Sequence, residues 1–240
     1  MAGHSKWNNI KRRKGAADAK RGRIFTKIGR EIQVAVREGG PDPELNTRLR
    51  DAVNNAKANN MPNDTIARSI KKASGEDNAG DYQEIRYEGY GPSGVAIIVK
   101  TLTDNRNRTA GEVRHAFDKH GGNLGTTGSV SFMFEDKGEI YLEADNVIED
   151  NLFITALDAG AEDVLNLDQA FLVSTSPQAF EVVRQTLEDE GYTLADASVG
   201  PVANNTVKLS EEDQIRMEKL LEQLEDSDDV QEIYHNWEEE

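Results

Sequence analysis

The chain has 240 residues, with 44 acidic against 28 basic side chains and a net charge of −16, so as a whole it does not attract polyanions. It has no cysteine, which excludes disulfides, thiolate chemistry and cysteine-ligated zinc. An apolar content of 37% supports two or three globular domains, and no apolar run nears the roughly 20 residues of a membrane span.

The charge is unevenly divided. Met1 to Lys72 holds 17 basic and 7 acidic residues, net +10, whereas Ala73 to Glu240 holds 11 and 37, net −26. Met1 to Lys14 has few apolar residues beyond Trp7 and Ile10, too few to bury it, and is expected to be mobile when free. It lacks the apolar stretch of a secretory signal and the composition of a mitochondrial leader, so a cytoplasmic setting is expected. From Asp18 to Glu38, Ile24, Ile28, Ile32 and Val36 recur every fourth residue, with Phe25 and Ala35 beside them, which predicts an amphipathic helix. Lys20, Arg23, Lys27, Arg30 and Arg37 fall on the opposite face. Lys20, Arg21 and Arg23 also crowd the helix N-terminus, where the dipole disfavours cations; an external anion would account for them. The candidate nucleic-acid contacts are therefore Lys6, Trp7, Lys11, Arg12, Arg13, Lys14, Lys20, Arg21, Arg23 and Lys27, with the Trp7 indole available to stack on a base. A solvated basic face is the plainer alternative. Cations alone do not separate DNA from RNA.

Gly39-Gly40-Pro41 closes the first helix. Asp42 as cap and Pro43 as first residue open a second, with Leu45, Leu49, Ala52, Val53 and Ala56 inward. Asn63 or Asp64 caps a third, with Ile66, Ala67, Ile70 and Ala73 inward; short connections make the three an antiparallel bundle. After an acidic linker, Tyr82 to Tyr90 and Val95 to Leu102 form a hairpin about Gly91-Pro92-Ser93-Gly94. A helix follows from Arg106 to His120, then a strand from Ser129 to Phe134. Strand 138–143, helix 147–159, strands 163–167 and 170–175, helix 177–190 and strand 194–202 complete a βαββαβ set, the ferredoxin-like order. Being complete, it reads as an insertion. The interrupted domain recovers a helix capped by Ser210, with Ile215, Leu220, Leu221 and Leu224 inward, and a strand from Val230 to His235. The expected fold is α+β with three domains, an N-terminal three-helix bundle followed by two ferredoxin-like α/β domains, the second inserted in the first. The expected boundaries are 1–78, then 79–134 with 204–240, and 135–203.

The most polar unit outside the bundle runs from Leu102 to Thr109 and contains Asp104, Arg106 and Arg108. It reads either as a second nucleic-acid contact through Arg106 and Arg108 or as a capped helix start with its arginines paired to carboxylates. The glycine-rich stretch 121–128 follows a helix and lacks Gly-Lys-Ser/Thr, so it reads as a flexible loop and not a phosphate loop. His4, His115, His120 and His235 have no metal-ligand spacing, and there is no nucleophile elbow. No enzyme activity, cofactor, metal, membrane partner or small-molecule substrate is expected.

The stretches GHSKWNNIKRRKGAADAKRGRIFTK, NTRLRDAVNNAKANNMPNDTIARSIKKA, YEGYGPSGVAIIVKTLTDNRNRTAGEVRHAF and GGNLGTTGSVSFMF resemble the YebC family, the bacterial YebC/PmpR proteins and the mitochondrial translational activators of a cytochrome oxidase subunit. The likeness runs end to end over long motifs. It implies a helical domain and two α/β domains, one inserted in the other. It also implies a regulator that binds DNA, or alternatively a factor at the ribosome that contacts ribosomal RNA or tRNA and helps synthesis through proline runs. It brings no catalytic residues.

Overall fold

The computed structural model describes residues 7, 18–75, 82–145 and 147–238. The helical domain consists of α1 (Asp18–Gly39), α2 (Thr47–Ala58) and α3 (Asn63–Ala73). Ile28, Ile32, Ala35 and Val36 of α1 pack with Leu49, Ala52, Ala56, Met61, Ile66 and Ala73 in one core. The apolar stripe of α1 is thus buried as its four-residue spacing requires.

The start of α2 differs from expectation. Asn46 is the cap, not Asp42: its side-chain oxygen accepts from Leu49 N–H at 3.0 Å, while its amide donates to the carbonyls of Ala35 at 2.7 Å and Gly40 at 2.8 Å. One buried side chain satisfies the end of α1 and the start of α2 together, which a cap at Asp42 could not do. Gly40 makes the reversal possible with φ of 85°. Leu45 consequently lies before the helix and is 84% exposed, and Ala67 of α3 is also exposed.

The first sheet starts with the expected hairpin, β1 (Gln83–Tyr90) antiparallel to β2 (Ala96–Thr103). Then come α4 (Arg106–Lys119) and the two-residue strand β3 (Asn123–Leu124), antiparallel to β1. The glycine-rich stretch is therefore a sheet edge and not simply a loop. Gly122 lets it approach, since a Cβ there would lie 2.6 Å from the Tyr90 carbonyl oxygen. With β8 (Val230–His235) the order is β3-β1-β2-β8. The strand expected at 129–134 is not formed: Ser131–Met133 is a single 3-10 turn, and β4 (Phe134–Glu143) begins immediately after it. The edge beside β1 is already taken by β3, and Phe134 pairs instead with Ala203 of β7 (Leu194–Ala203) in the second sheet.

That sheet also contains β5 (Asp163–Asn166) and β6 (Ala170–Thr175), covered by α5 (Glu149–Ala159) and α6 (Phe180–Asp189). Its order β5-β6-β4-β7, antiparallel throughout, is the ferredoxin-like one. Finally α7 (Glu211–Glu225), capped by Ser210, buries Met217, Leu220, Leu221 and Leu224. Ile215 is exposed and Met217 takes the inward position expected of it. The fold is α+β, a helical domain followed by two α/β domains. By compactness the chain forms two units. One runs from α1 to Ser129 and adds Ser210–Ile233; the other is Val130–Leu209 with Trp7 and the residues from Tyr234.

Candidate nucleic-acid interface

Trp7 is buried, with 7% of its surface exposed, and packs in a cluster with Tyr141, Leu167, Ala170 and Leu172 of the second sheet's unit. Its ring stacks on Tyr141 with centroids 6.3 Å apart and planes at 11°. A ring whose face is covered by Tyr141 is not presented to a base. The expectation was of a Trp7 available to a base in a leader with no part in a core; the Trp7 side chain instead contributes to one. Lys6, Lys11, Arg12, Arg13 and Lys14 lie outside the described residues.

The basic face of α1 is also differently used. Arg23 is ion-paired with Asp226. Lys27 donates to the Glu225 carbonyl at 2.7 Å, and Arg30 donates to the Asp228 carbonyl at 2.7 Å and the Asp229 carboxylate at 2.6 Å. Three cations spaced four and three residues apart on one helix thus meet the end of α7 and the acidic run that follows it. The α7 C-terminus carries the negative end of its helix dipole, which favours this docking. Lys20 and Arg21 fall in the first turn of α1.

The Leu102–Thr109 unit is built around the same run. Asn105 caps α4 by accepting from Arg108 N–H at 3.1 Å. Arg108 donates to Asp104 at 2.8 Å and to both carboxylate oxygens of Asp229, at 2.8 and 3.1 Å. Thr109 donates to Asp229 at 2.7 Å; Thr103 also donates to Asp229, at 3.2 Å, and accepts from the Asn105 N–H at 2.9 Å. The Asp229 side chain is 4% exposed. Burial pushes its carboxyl up, but hydrogen bonds from Thr109, Arg108 and Arg30 prevail and hold it below the usual carboxylate range. Arg108 is held protonated chiefly by its bonds to Asp229 and Asp104. Of the two readings of this unit, Arg108 follows the capped, ion-paired one. Arg106 is exposed and makes no ion pair with a described residue.

Among the described residues, Lys57 of α2 and Arg68, Lys71 and Lys72 of α3 are exposed without an ion pair. Arg68 does reach the Asp64 carbonyl and the Thr65 hydroxyl, at 3.2 and 3.1 Å. Positions 68, 71 and 72 share one helical face, a spacing visible in the sequence. The contacts of residues 225–229 had no such signal, because nothing local marks a partner some 200 positions away.

Residues 5–76 match the TACO1/YebC protein N-terminal domain, and residues 82–237 match the TACO1/YebC second and third domain. The chain is 59% identical over 239 residues to a protein of Acetivibrio thermocellus named "Probable transcriptional regulatory protein", covering 99% of each. A Clostridium botulinum protein of the same name is 57% identical over 237 residues, covering 98% of this chain and 96% of that one. The crystal structure of a conserved hypothetical protein from Aquifex aeolicus superimposes with a TM-score of 0.83 at 46% identity, covering 92% of this chain and 91% of that one. With both domain descriptions matched in order and relatives aligned along nearly their whole length, the chain belongs to the TACO1/YebC family.

Proposed function

We propose that this protein is a non-catalytic, cytoplasmic regulator of gene expression that binds nucleic acid through its basic helical domain, acting on DNA in transcription. The observation that carries the reading is the charge division, net +10 up to Lys72 against net −26 beyond it. The relatives' name, probable transcriptional regulatory protein, supports it. The primary contacts are Lys6, Lys11, Arg12, Arg13, Lys14, Lys20 and Arg21, with Arg106 and the α3 face of Arg68, Lys71 and Lys72 as further phosphate contacts. Trp7, Arg23, Lys27 and Arg108 have structural partners and are set aside as primary contacts.

A second reading, a translation factor that binds ribosomal RNA or tRNA and relieves stalling at proline-rich stretches, is favoured by one feature. The helix richest in cations turns Arg23, Lys27 and Arg30 towards protein groups, so these three are not presented as a base-reading edge to a major groove. Binding by backbone shape suits RNA as well as DNA. The two separate in one comparison. The DNA reading expects tight, sequence-selective shifts of duplex DNA at physiological salt; the ribosome reading expects co-sedimentation with ribosomes that survives DNase. Neither behaviour, from a folded protein, refutes the proposal.

A further inference from the structure

The residues from Glu225 to Asp229, Glu-Asp-Ser-Asp-Asp, present acidic groups and helix-end carbonyls to α1 at the spacing of its cations. Two grades of contact are present. Asp229 is a buried anchor, enclosed by Arg30, Arg108, Thr109 and Thr103. The Arg23–Asp226 pair is about half exposed on both sides, and Lys27 holds a carbonyl oxygen and not a charge at Glu225. Exposed ion pairs of that kind are individually weak and screened by salt, so a polyanion competes well against them. The buried Asp229 contacts are screened far less.

We infer that the segment Glu225–Asp229 is an internal competitor of nucleic acid: it occupies the cations of α1, and a phosphate backbone gains Arg23 and Lys27 only by displacing its Asp226 end. The inference rests on the nucleic-acid reading and adds regulation to it. Asp229 keeps α1 anchored through Arg30 while the outer contacts exchange between carboxylate and phosphate. The protein then binds weakly where only Arg23 or Lys27 is called upon, and more firmly where the leader and α1 are engaged together. Charge on α1 is held in reserve.

The test uses the full chain. A short duplex DNA and a structured RNA hairpin are titrated at low salt against the parent, Asp226→Asn, and Glu190→Gln, an exposed acid in the other unit that changes net charge equally. Asp226→Asn is expected to tighten binding about twofold to fivefold, the range of an exposed ion pair removed. Glu190→Gln is expected to do markedly less. Equal gains from both variants overturn the competitor while leaving the nucleic-acid reading intact. No binding of either probe by any of the three folded proteins overturns both.

Discussion

Replacing Asp229 with Ala removes the one carboxylate shared by Arg30, Arg108, Thr109 and Thr103. Removing one partner of a buried ion pair costs about 3–5 kcal/mol, because the remaining charge stays desolvated. Here Arg30 is 15% exposed and Arg108 is 42% exposed, so solvent screens the second guanidinium and the lower end applies, about 3 kcal/mol. For a chain of this size that is a fall of about 6–12 °C in the melting of the unit containing α1 and α7. Asp229→Asn keeps the shape and one acceptor and should lose roughly half as much. The pH dependence carries its own sign. The folded carboxyl is held below its ordinary value, so the unfolded state takes up the proton first as pH falls. The stabilisation is then complete above about pH 5 and is lost as pH drops through the lower folded value. Scanning calorimetry of parent and Asp229→Asn from neutral pH downward should show a constant gap that closes in acid. A gap independent of pH, or an Asp229→Ala loss below about 1 kcal/mol, refutes the assignment of Asp229 as a charged anchor.

Trp7→Ala should destabilise the unit of the second sheet by about 3 kcal/mol, as expected of a buried Trp, with Trp7→Phe retaining most of the stability; unchanged melting with weakened nucleic-acid binding would return Trp7 to the interface. Asn46→Ala, by stripping a helix cap and leaving two carbonyls without their donor, should cost about 2–3 kcal/mol in chemical denaturation, and a loss within error would show that water replaces the amide. Replacing Lys11, Arg12, Arg13 and Lys14 with Gln should flatten the log-log salt dependence of affinity by about three units and weaken all sequences alike. An unchanged slope would mean the leader meets no phosphate.

What the sequence made legible was periodic. The α1 stripe, the β1–β2 hairpin, the βαββαβ order and the capped start of the helix at Arg106 all rest on spacing within one element or on residues that act locally. The errors came where a distant partner decided the outcome. Asn46 won the start of α2 because it also serves Ala35 and Gly40 in the preceding helix end. The stretch 129–134 lost its strand because β3 occupies the edge it would have used and β4 is claimed by β7. Arg23 and Lys27 read as free cations because the residues that engage them, 225–229, are separated from them by two sheets' worth of chain. A lone Trp in a polar leader reads as an exposed stacking platform. The same isolation is what results when the rest of its cluster, Tyr141, Leu167, Ala170 and Leu172, comes from far along the chain.

That distinction between charge in sequence and charge in space has a measurable consequence for the unmodified protein. The candidate list from sequence holds eleven cations once Trp7 is set aside, and full engagement on duplex DNA would give a salt slope near −10 at about −0.9 per phosphate. Arg23, Lys27 and Arg108 are engaged by Asp226, Glu225 and Asp229, which leaves eight of that set to contribute a slope of about −7, with up to about −3 more where Arg68, Lys71 and Lys72 of α3 also meet phosphates. The counterions released are those condensed on the phosphates, and a phosphate that takes Arg23 from Asp226 leaves a free carboxylate that draws a cation back from solution, so the exchange frees few ions in net. Asp226→Asn makes Arg23 a net releaser again and should steepen the slope by about one unit. A slope unchanged by Asp226→Asn would mean that the Arg23–Asp226 pair opens fully on binding or does not persist in solution.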